Sequence, residues 1–203
     1  MRAAPPDGAR DRTLAARFGL IAGVDEVGRG ALAGPVTVAA VILDLQHPLI
    51  GLDDSKRLSP RVRERLAAEI LEHALCWAVA HRSPAEIDRL NILEATRAAM
   101  VEAVNSLARV PGLVVTDALP LPELKVAYRA EVHADARYQC VAAASILAKV
   151  TRDRMMVQLA RTCPDYGWES NKGYPSPHHL AALRRLGPCG QHRRTFRPLR
   201  VLA

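Results

Sequence analysis

Aromatic residues are scarce, 4% of the 203 positions. A core must therefore be assembled from Ala, Val, Leu and Ile, and a platform that stacks successive bases of a single strand, which needs several exposed rings, is excluded. Cysteine is rarer still: Cys76, Cys140, Cys163 and Cys189 make no C-x-x-C pair, and no histidine stands at zinc-finger spacing from them. The four read as reduced cytosolic thiols rather than as a disulfide or zinc framework. No run approaches the ~20 apolar residues of a membrane span, and the opening MRAAPPDGARDR lacks the apolar centre of a secretion signal. The expectation is a cytoplasmic protein with no membrane partner. Internal repeats and low-complexity segments are lacking as well.

What is present is the balance of a globular protein, 49% apolar and 24% charged. The net charge is +7, and residues 161–203 alone carry eight Lys/Arg against two acids, or +6. A basic end on a nearly neutral body suits a partner with regularly spaced phosphates, although a solvated basic tail has the same composition.

Residues 1–18, rich in Pro, Gly, Arg and Asp at their start, are expected to be disordered or poorly ordered. Leu20–Val27 and Val36–Leu43 read as strands of a hairpin, joined by a Gly/Pro segment. Ser59-Pro60 opens a helix, and Cys76–Ala80 is a third strand. Ser83-Pro84-Ala85-Glu86 is a capping box, and Asn91 with Glu94 forms a second candidate. Gly112–Asp117 and Val126–Val132 read as further strands. A long helix follows Asp135 and carries the small-residue run Ala142-Ala143-Ala144-Ser145; a last clear helix runs from Ser176-Pro177 to Gly187. The fold class is α/β, a mixed sheet flanked by helices. Residues 19–160 are expected to form its core, and 161–203 a small basic helical portion that would contribute to binding a phosphate-bearing partner.

Four acids stand out by position. Asp25 and Glu26 interrupt an apolar strand, Asp117 ends another, and Asp135 precedes the small-residue helix. Carboxylates are disfavoured in buried strands and costly when unpaired. Taken singly, Asp117 reads as a strand cap and Asp135 as a helix cap, but adjacent acids inside an apolar strand do not reduce to capping. Clustered carboxylates select hard divalent cations, Mg2+ or Mn2+, and two such ions about 3.5–4 Å apart are an arrangement that cuts phosphodiesters. Neighbouring strand residues point to opposite faces, so a strand end, bulge or strong twist is needed for Asp25 and Glu26 to share a site. Gly28-Arg29-Gly30 follows directly; glycines allow close backbone approach to phosphate or sugar, or simply make a turn. Lys56, Arg57, Lys149, Arg152, Lys172, Arg193 and Arg194 are candidates for phosphate contacts.

The stretch Gly23–Gly30, continued by Leu32-Ala33-Gly34-Pro35-Val36, resembles the N-terminal signature of the ribonuclease HII family. Asp54–Ser59, Glu86-Ile87-Asp88 with Asn91-Ile92-Leu93, Ala142–Arg154, Lys172-Gly173-Tyr174 and His192-Arg193 resemble further motifs of that family in the same order. The resemblance covers residues 20 to 198 or so and implies a ribonuclease H-like fold. It also implies an endonuclease that uses two ions, Mn2+ or Mg2+, to hydrolyse the RNA strand of RNA–DNA hybrids. Single ribonucleotides embedded in duplex DNA would be cut on their 5′ side, leaving 3′-hydroxyl and 5′-phosphate ends. On the matching positions Asp25, Glu26, Asp117 and Asp135 would bind metal. Gly28, Arg29 and Gly30 would read the ribose 2′-hydroxyl, assisted by Tyr174, while Lys56 and Lys172 would bind substrate. The sequence departs from the pattern where Asp117-Ala118 replaces D-G and where Ala134-Asp135-Ala136-Arg137-Tyr138 replaces G-D-x-K-S. The sister type, ribonuclease HIII, typically carries an extra N-terminal domain, and only about 20 residues precede the first motif here. A basic duplex-binding module and a dinucleotide-binding domain are the other readings; the glycine spacing G-x-G-x-x-x-G disfavours the latter. A monomer is expected.

Overall fold

The computed structural model describes residues 5–202. Five strands form one mixed sheet: β1 (Ile21–Val27), β2 (Val36–Ile42), β3 (Cys76–Arg82), β4 (Leu113–Asp117) and β5 (Tyr128–Glu131), in the order β3-β2-β1-β4-β5. β1 pairs antiparallel with β2 and parallel with β4, and β5 extends the parallel half. The β-branched and small residues of β2 are buried along its whole length, as a strand covered on both faces requires.

Alternation along β1 sorts its side chains. Ile21 joins a cluster with Val41, Val115, Val141 and Ile146, whereas Ala22 and Val24 join Ala40, Met100 and Val114 on the other face. The first face is covered by α5 (Gln139–Thr162) and α2 (Pro60–His73), the second by α4 (Ile92–Asn105). Gly23 is what lets α5 lie so close: a Cβ there would fall 2.1 Å from the carbonyl carbon of Cys140. α3 (Pro84–Leu90) opens on the expected capping box, with Ser83 Oγ accepting from Glu86 N and Glu86 reaching back to Ser83 N. Asn91 caps α4 through Leu93 N and Glu94 N, without the reciprocal bond from Glu94.

The C-terminal portion comprises α6 (Trp168–Asn171), α7 (Pro177–Leu186) and α8 (Leu199–Leu202). Tyr166, Trp168, Leu183 and Leu199 bury themselves against Leu32 and Ala33 of the β1–β2 connection and Met156 of α5. α5 continues to Thr162, so the boundary expected at residue 160 falls inside a helix.

The N-terminus corrects the expectation of disorder. Ala9–Phe18 form a helix, α1. Its Asp11 is fully buried and accepts hydrogen bonds from Gln139 N (3.0 Å) and Cys140 N (2.9 Å), capping the N-terminus of α5 from 128 residues away. Residues 1–4 of the segment expected to be disordered lie outside the described residues. A carboxylate on two free helix N–H groups is favoured by both hydrogen bonding and the helix dipole. Asp11→Ala is expected to cost about 2 kcal/mol, a fall in Tm of roughly 4–8 °C for a chain of this size. A thermal melt unchanged from wild type would show that α1 does not dock in solution.

Candidate active site

The parallel pair β1 and β4 ends side by side, and open α/β sheets bind ligands beyond such carboxyl ends. The register pairs Val24 with Thr116, so continuing it by one residue sets Asp25 beside Asp117 on the face that α5 covers. Asp117 Oδ1 accepts from Ala134 N at 3.1 Å, docking the short 3-10 turn 134–136 and its buried Asp135 against the end of β4. Asp117 therefore stands between Asp25 and Asp135 where β1 and β4 stop. Glu26 joins them from the end of its strand. Its Oε1 takes Arg29 Nη1 at 3.2 Å, while its Oε2 is buried without a hydrogen-bond partner among the described residues.

The electrostatics express that crowding. Burial raises the Asp25 pKa well above the ordinary carboxylate range, and the neighbouring charges of Glu26 and Asp117 raise it further, against hydrogen bonds from Glu26 N and Ser145. Burial also raises Glu26, partly offset by Arg29, with Asp117 adding to the rise. Asp135 is raised by burial, then by Asp54 and Asp117. Among the described residues no three acids already close around one point in ligand geometry. The acids are neighbours at the strand ends without forming a closed ligand set.

Glu131, on β5 opposite Asp117, is the instructive contrast. Burial would raise it, but the Tyr138 hydroxyl at 2.7 Å with Arg137 and Arg129 wins, and its pKa is lowered. Glu131 is a satisfied structural acid; Asp25 and Glu26 are not.

Lys56 belongs with the acids. Burial works against its ammonium charge, but Asp54, Asp135, Asp25 and Asp117 together raise its pKa. Its loop is tied to α5 by a 2.7 Å bond between Ser55 and Ser145, the serine that also contacts Asp25. Asp54 and Ser145 were not singled out from sequence, although both lie in the matched motifs. Lys172 lies farther along, in a cleft of about 570 Å³ that it shares with Arg63, Lys149 and Arg161.

Gly28 has φ 91°, and a Cβ there would sit 2.2 Å from Arg152 Nε; Gly30 has open space instead. Neither the Arg29 nor the Gly30 N–H has a protein acceptor among the described residues. Arg152 and Arg193 correct the reading of both as phosphate contacts: each is fully buried. Arg152 donates to the carbonyls of Pro35 (2.8 Å), Ala33 (3.1 Å) and Lys172 (2.9 Å). Arg193 donates to those of Gly34 (3.1 and 2.9 Å) and Arg29 (2.9 Å). They hold the 28–35 connection against the 172–174 segment, where the Tyr174 ring centroid lies 5.4 Å from the Arg152 guanidinium carbon.

The family model of ribonuclease HII matches residues 22–199. The chain belongs to the ribonuclease HII family. It is a hydrolase, a divalent-metal-dependent endoribonuclease of the ribonuclease H kind that acts on RNA–DNA hybrids. The protein named ribonuclease HII 2 of Methylibium petroleiphilum is 54% identical over 202 residues, 98% of this chain and 93% of its own. Ribonuclease HII of Burkholderia pseudomallei (strain 668) is 54% identical over 181 residues, 89% of this chain and 85% of its own. The crystal structure of ribonuclease H2 from Pyrococcus horikoshii OT3 superposes with a TM-score of 0.78 at 31% identity, covering 90% of this chain and 96% of that one. The fold is thus the ribonuclease H-like one expected.

Both departures from the ribonuclease HII pattern have a structural counterpart. Ala118, where the pattern has Gly, adopts φ 59°, a left-handed conformation that costs an L-residue roughly 1–2 kcal/mol. Ala134 shows no such strain; it is buried and its N–H serves Asp117. Arg137, where the pattern has Lys, turns to Glu131 at 3.3 Å.

Proposed function

We propose that the chain cuts the RNA strand of hybrids and also nicks duplex DNA on the 5′ side of a single embedded ribonucleotide. Asp25, Glu26, Asp117 and Asp135 would hold two divalent cations. The observation that supports this reading is the placement of four acids around the ends of β1 and β4, with one buried carboxylate oxygen, Glu26 Oε2, left without a partner among the described residues. The donors are all oxygen, which suits Mg2+ or Mn2+ and not a soft metal. Desolvated carboxylates that repel one another are stabilised by exactly such positive charge. When bound, two such ions supply Lewis-acid charge at the scissile phosphate and the acidity that makes water a nucleophile near neutral pH.

The chain's own groups do the rest. The phosphate to be cut must lie over the acids, where Lys56 adds the nearest ammonium. Water adds to phosphorus, the bond from phosphorus to the upstream O3′ breaks, and that oxygen leaves as a 3′-hydroxyl while the ribonucleotide keeps the 5′-phosphate. The free N–H groups of Arg29 and Gly30 face the ribose, whose 2′-hydroxyl is the only group at that site that separates RNA from DNA. Tyr174 closes the sugar from the opposite side, and Lys172 in the basic cleft meets a more distant phosphate.

The test is a duplex with one ribonucleotide, incubated with Mg2+, with Mn2+ and with chelator. A nick 5′ of the ribonucleotide is expected only with metal. Gly30→Ala sharpens it, because the added methyl meets nothing in the protein. Its Tm should stay within about 2 °C of wild type, the usual effect of a surface change, while KM for the ribonucleotide duplex rises. An unchanged KM would remove Gly30 from the ribose contact, and metal-independent binding without a nick would favour a binding module.

A further inference from the structure

Two buried histidines in the C-terminal portion are unused by the site described above, and their partners leave no freedom in how they are protonated. His179 Nδ1 lies 2.9 Å from the Tyr174 carbonyl oxygen, which can only accept, so Nδ1 carries a hydrogen. The Trp168 indole N–H, which can only donate, points at His179 Nε2 from 3.2 Å, so Nε2 carries none. His192 Nε2 approaches that same bare nitrogen at 3.1 Å and must therefore donate to it. His192 Nδ1 in turn accepts from Cys189 N at 3.0 Å, with Cys189 Sγ at 3.3 Å. The bonds run one way, from Cys189 through His192 and His179 to Tyr174, and both rings are neutral.

Burial independently favours neutral rings. It lowers both pKa values, that of His192 to about 4 with His179 contributing, and each ring is almost fully enclosed. A proton added to His179 Nε2 would face two donors at once.

We propose that His179 and His192 are positioning residues for ribose recognition: their one-way relay fixes the Tyr174 backbone opposite Gly28–Gly30. The segment is pinned from the other side too, since Gly173 O accepts from Leu32 N at 2.8 Å, in the connection that carries those glycines. The relay is thus the outer half of a clamp, and Arg152 against the Tyr174 ring is the inner half. The role given to Tyr174 rests on the function proposed above.

Two near-isosteric variants separate positioning from packing. Asparagine at 179 places an amide N–H where Nδ1 was and keeps the bond to Tyr174; glutamine places its amide near Nε2 and loses that bond. For each, kcat/KM is measured on a single-ribonucleotide duplex and on an RNA–DNA hybrid, and the ratio of the two is the readout. His179→Gln is expected to lower that ratio by about tenfold, the worth of one hydrogen bond in the transition state, and His179→Asn, which keeps the bond to Tyr174 but removes the acceptor of His192, to lower it less. Equal loss in both variants, or a ratio unmoved in both, overturns the proposal. Tyr174→Ala serves as the control. If it lowers the ratio while His179→Gln does not, the relay fails and the reading of Tyr174 stands; if Tyr174→Ala leaves the ratio intact, the role of Tyr174 and that of the relay both fall. Nitrogen-15 spectra of the whole protein supply a readout free of activity. His179 should show the Nδ1–H tautomer and His192 the Nε2–H tautomer at neutral pH, and the reverse assignment at either ring overturns the relay.

Discussion

Asp25→Asn should reduce cleavage by at least about a thousandfold, the scale on which removing a group that organises transition-state charge acts. At the same time it should leave the metal-free protein as stable as wild type or more so. The second half is the discriminating one. Burial, then Glu26 and Asp117, raises the Asp25 pKa in the fold. A carboxyl whose folded pKa exceeds its unfolded one binds its proton more tightly in the native state. The stability it contributes is complete below the ordinary carboxylate range near 4 and is lost as pH rises through the raised folded value. Glu26 and Asp135 shift the same way, so at pH 7 all three carry an uncompensated penalty. Asparagine removes one share of it while keeping an oxygen for Glu26 N and an amide for Ser145. Divalent metal removes the penalty differently: at a hundredfold excess over Kd, binding stabilises by about 2.7 kcal/mol. Melts at pH 7 with chelator, and then with Mg2+ or Mn2+, should show a metal-induced rise in wild type that shrinks in Asp25→Asn. If the variant melts well below wild type in chelator, Asp25 is a structural acid like Glu131. If metal lifts both equally, Asp25 does not hold it.

Much of this arrangement was readable in the chain, for reasons that are local. The β-branched run of β2, the box at Ser83 and the Ser176-Pro177 to Gly187 frame of α7 each encode their structure within a few residues. The acids were visible because a carboxylate inside an apolar strand has no local excuse. The opposed faces of Asp25 and Glu26 were an obstacle on paper. The strand ends there, and Arg29 holds one Glu26 oxygen within reach. What stayed hidden depends on partners far away in sequence. Pro5-Pro6-Asp7-Gly8 and the arginines after them have the composition of a disordered tail, and only the N–H groups of Gln139 and Cys140 reveal that Asp11 is a cap. Arg152 and Arg193 read as surface cations because arginine normally is one. Most of the carbonyls that bury them come from residues more than a hundred positions upstream; Lys172, twenty positions after Arg152, is the exception.

Arg152→Met should be strongly destabilising. Methionine keeps much of the stem volume but leaves the carbonyls of Pro35, Ala33 and Lys172 without their donor. Each orphaned buried group costs about 1–3 kcal/mol, so a loss of about 3–5 kcal/mol is expected after local relaxation, or roughly 6–20 °C in Tm. Arg152→Lys should not restore it, because one ammonium cannot span three carbonyls in three directions as the planar fork does. A Met variant melting within about 2 °C of wild type, or full rescue by Lys, would refute the assignment. Activity should fall with stability, and for a specific reason. Gly28 rests against the Arg152 guanidinium, so without it the connection carrying Gly28–Gly30 loses both its floor and its link to Tyr174. The two guanidiniums also stand close enough to repel: burial first, then Arg152, lowers the Arg193 pKa to about 9, still high enough to keep it charged at neutral pH. Neither is hydrogen-bonded to a carboxylate among the described residues, although Asp153 acts on Arg152 and Asp88 on Arg193 from a distance. Two enclosed positive charges, hydrogen-bonded to backbone carbonyls, therefore lie behind the connection that carries Gly28–Gly30. On the function proposed above, their field would favour the phosphates of a duplex without touching them, and the mutual repulsion is the cost of the shape they give that connection.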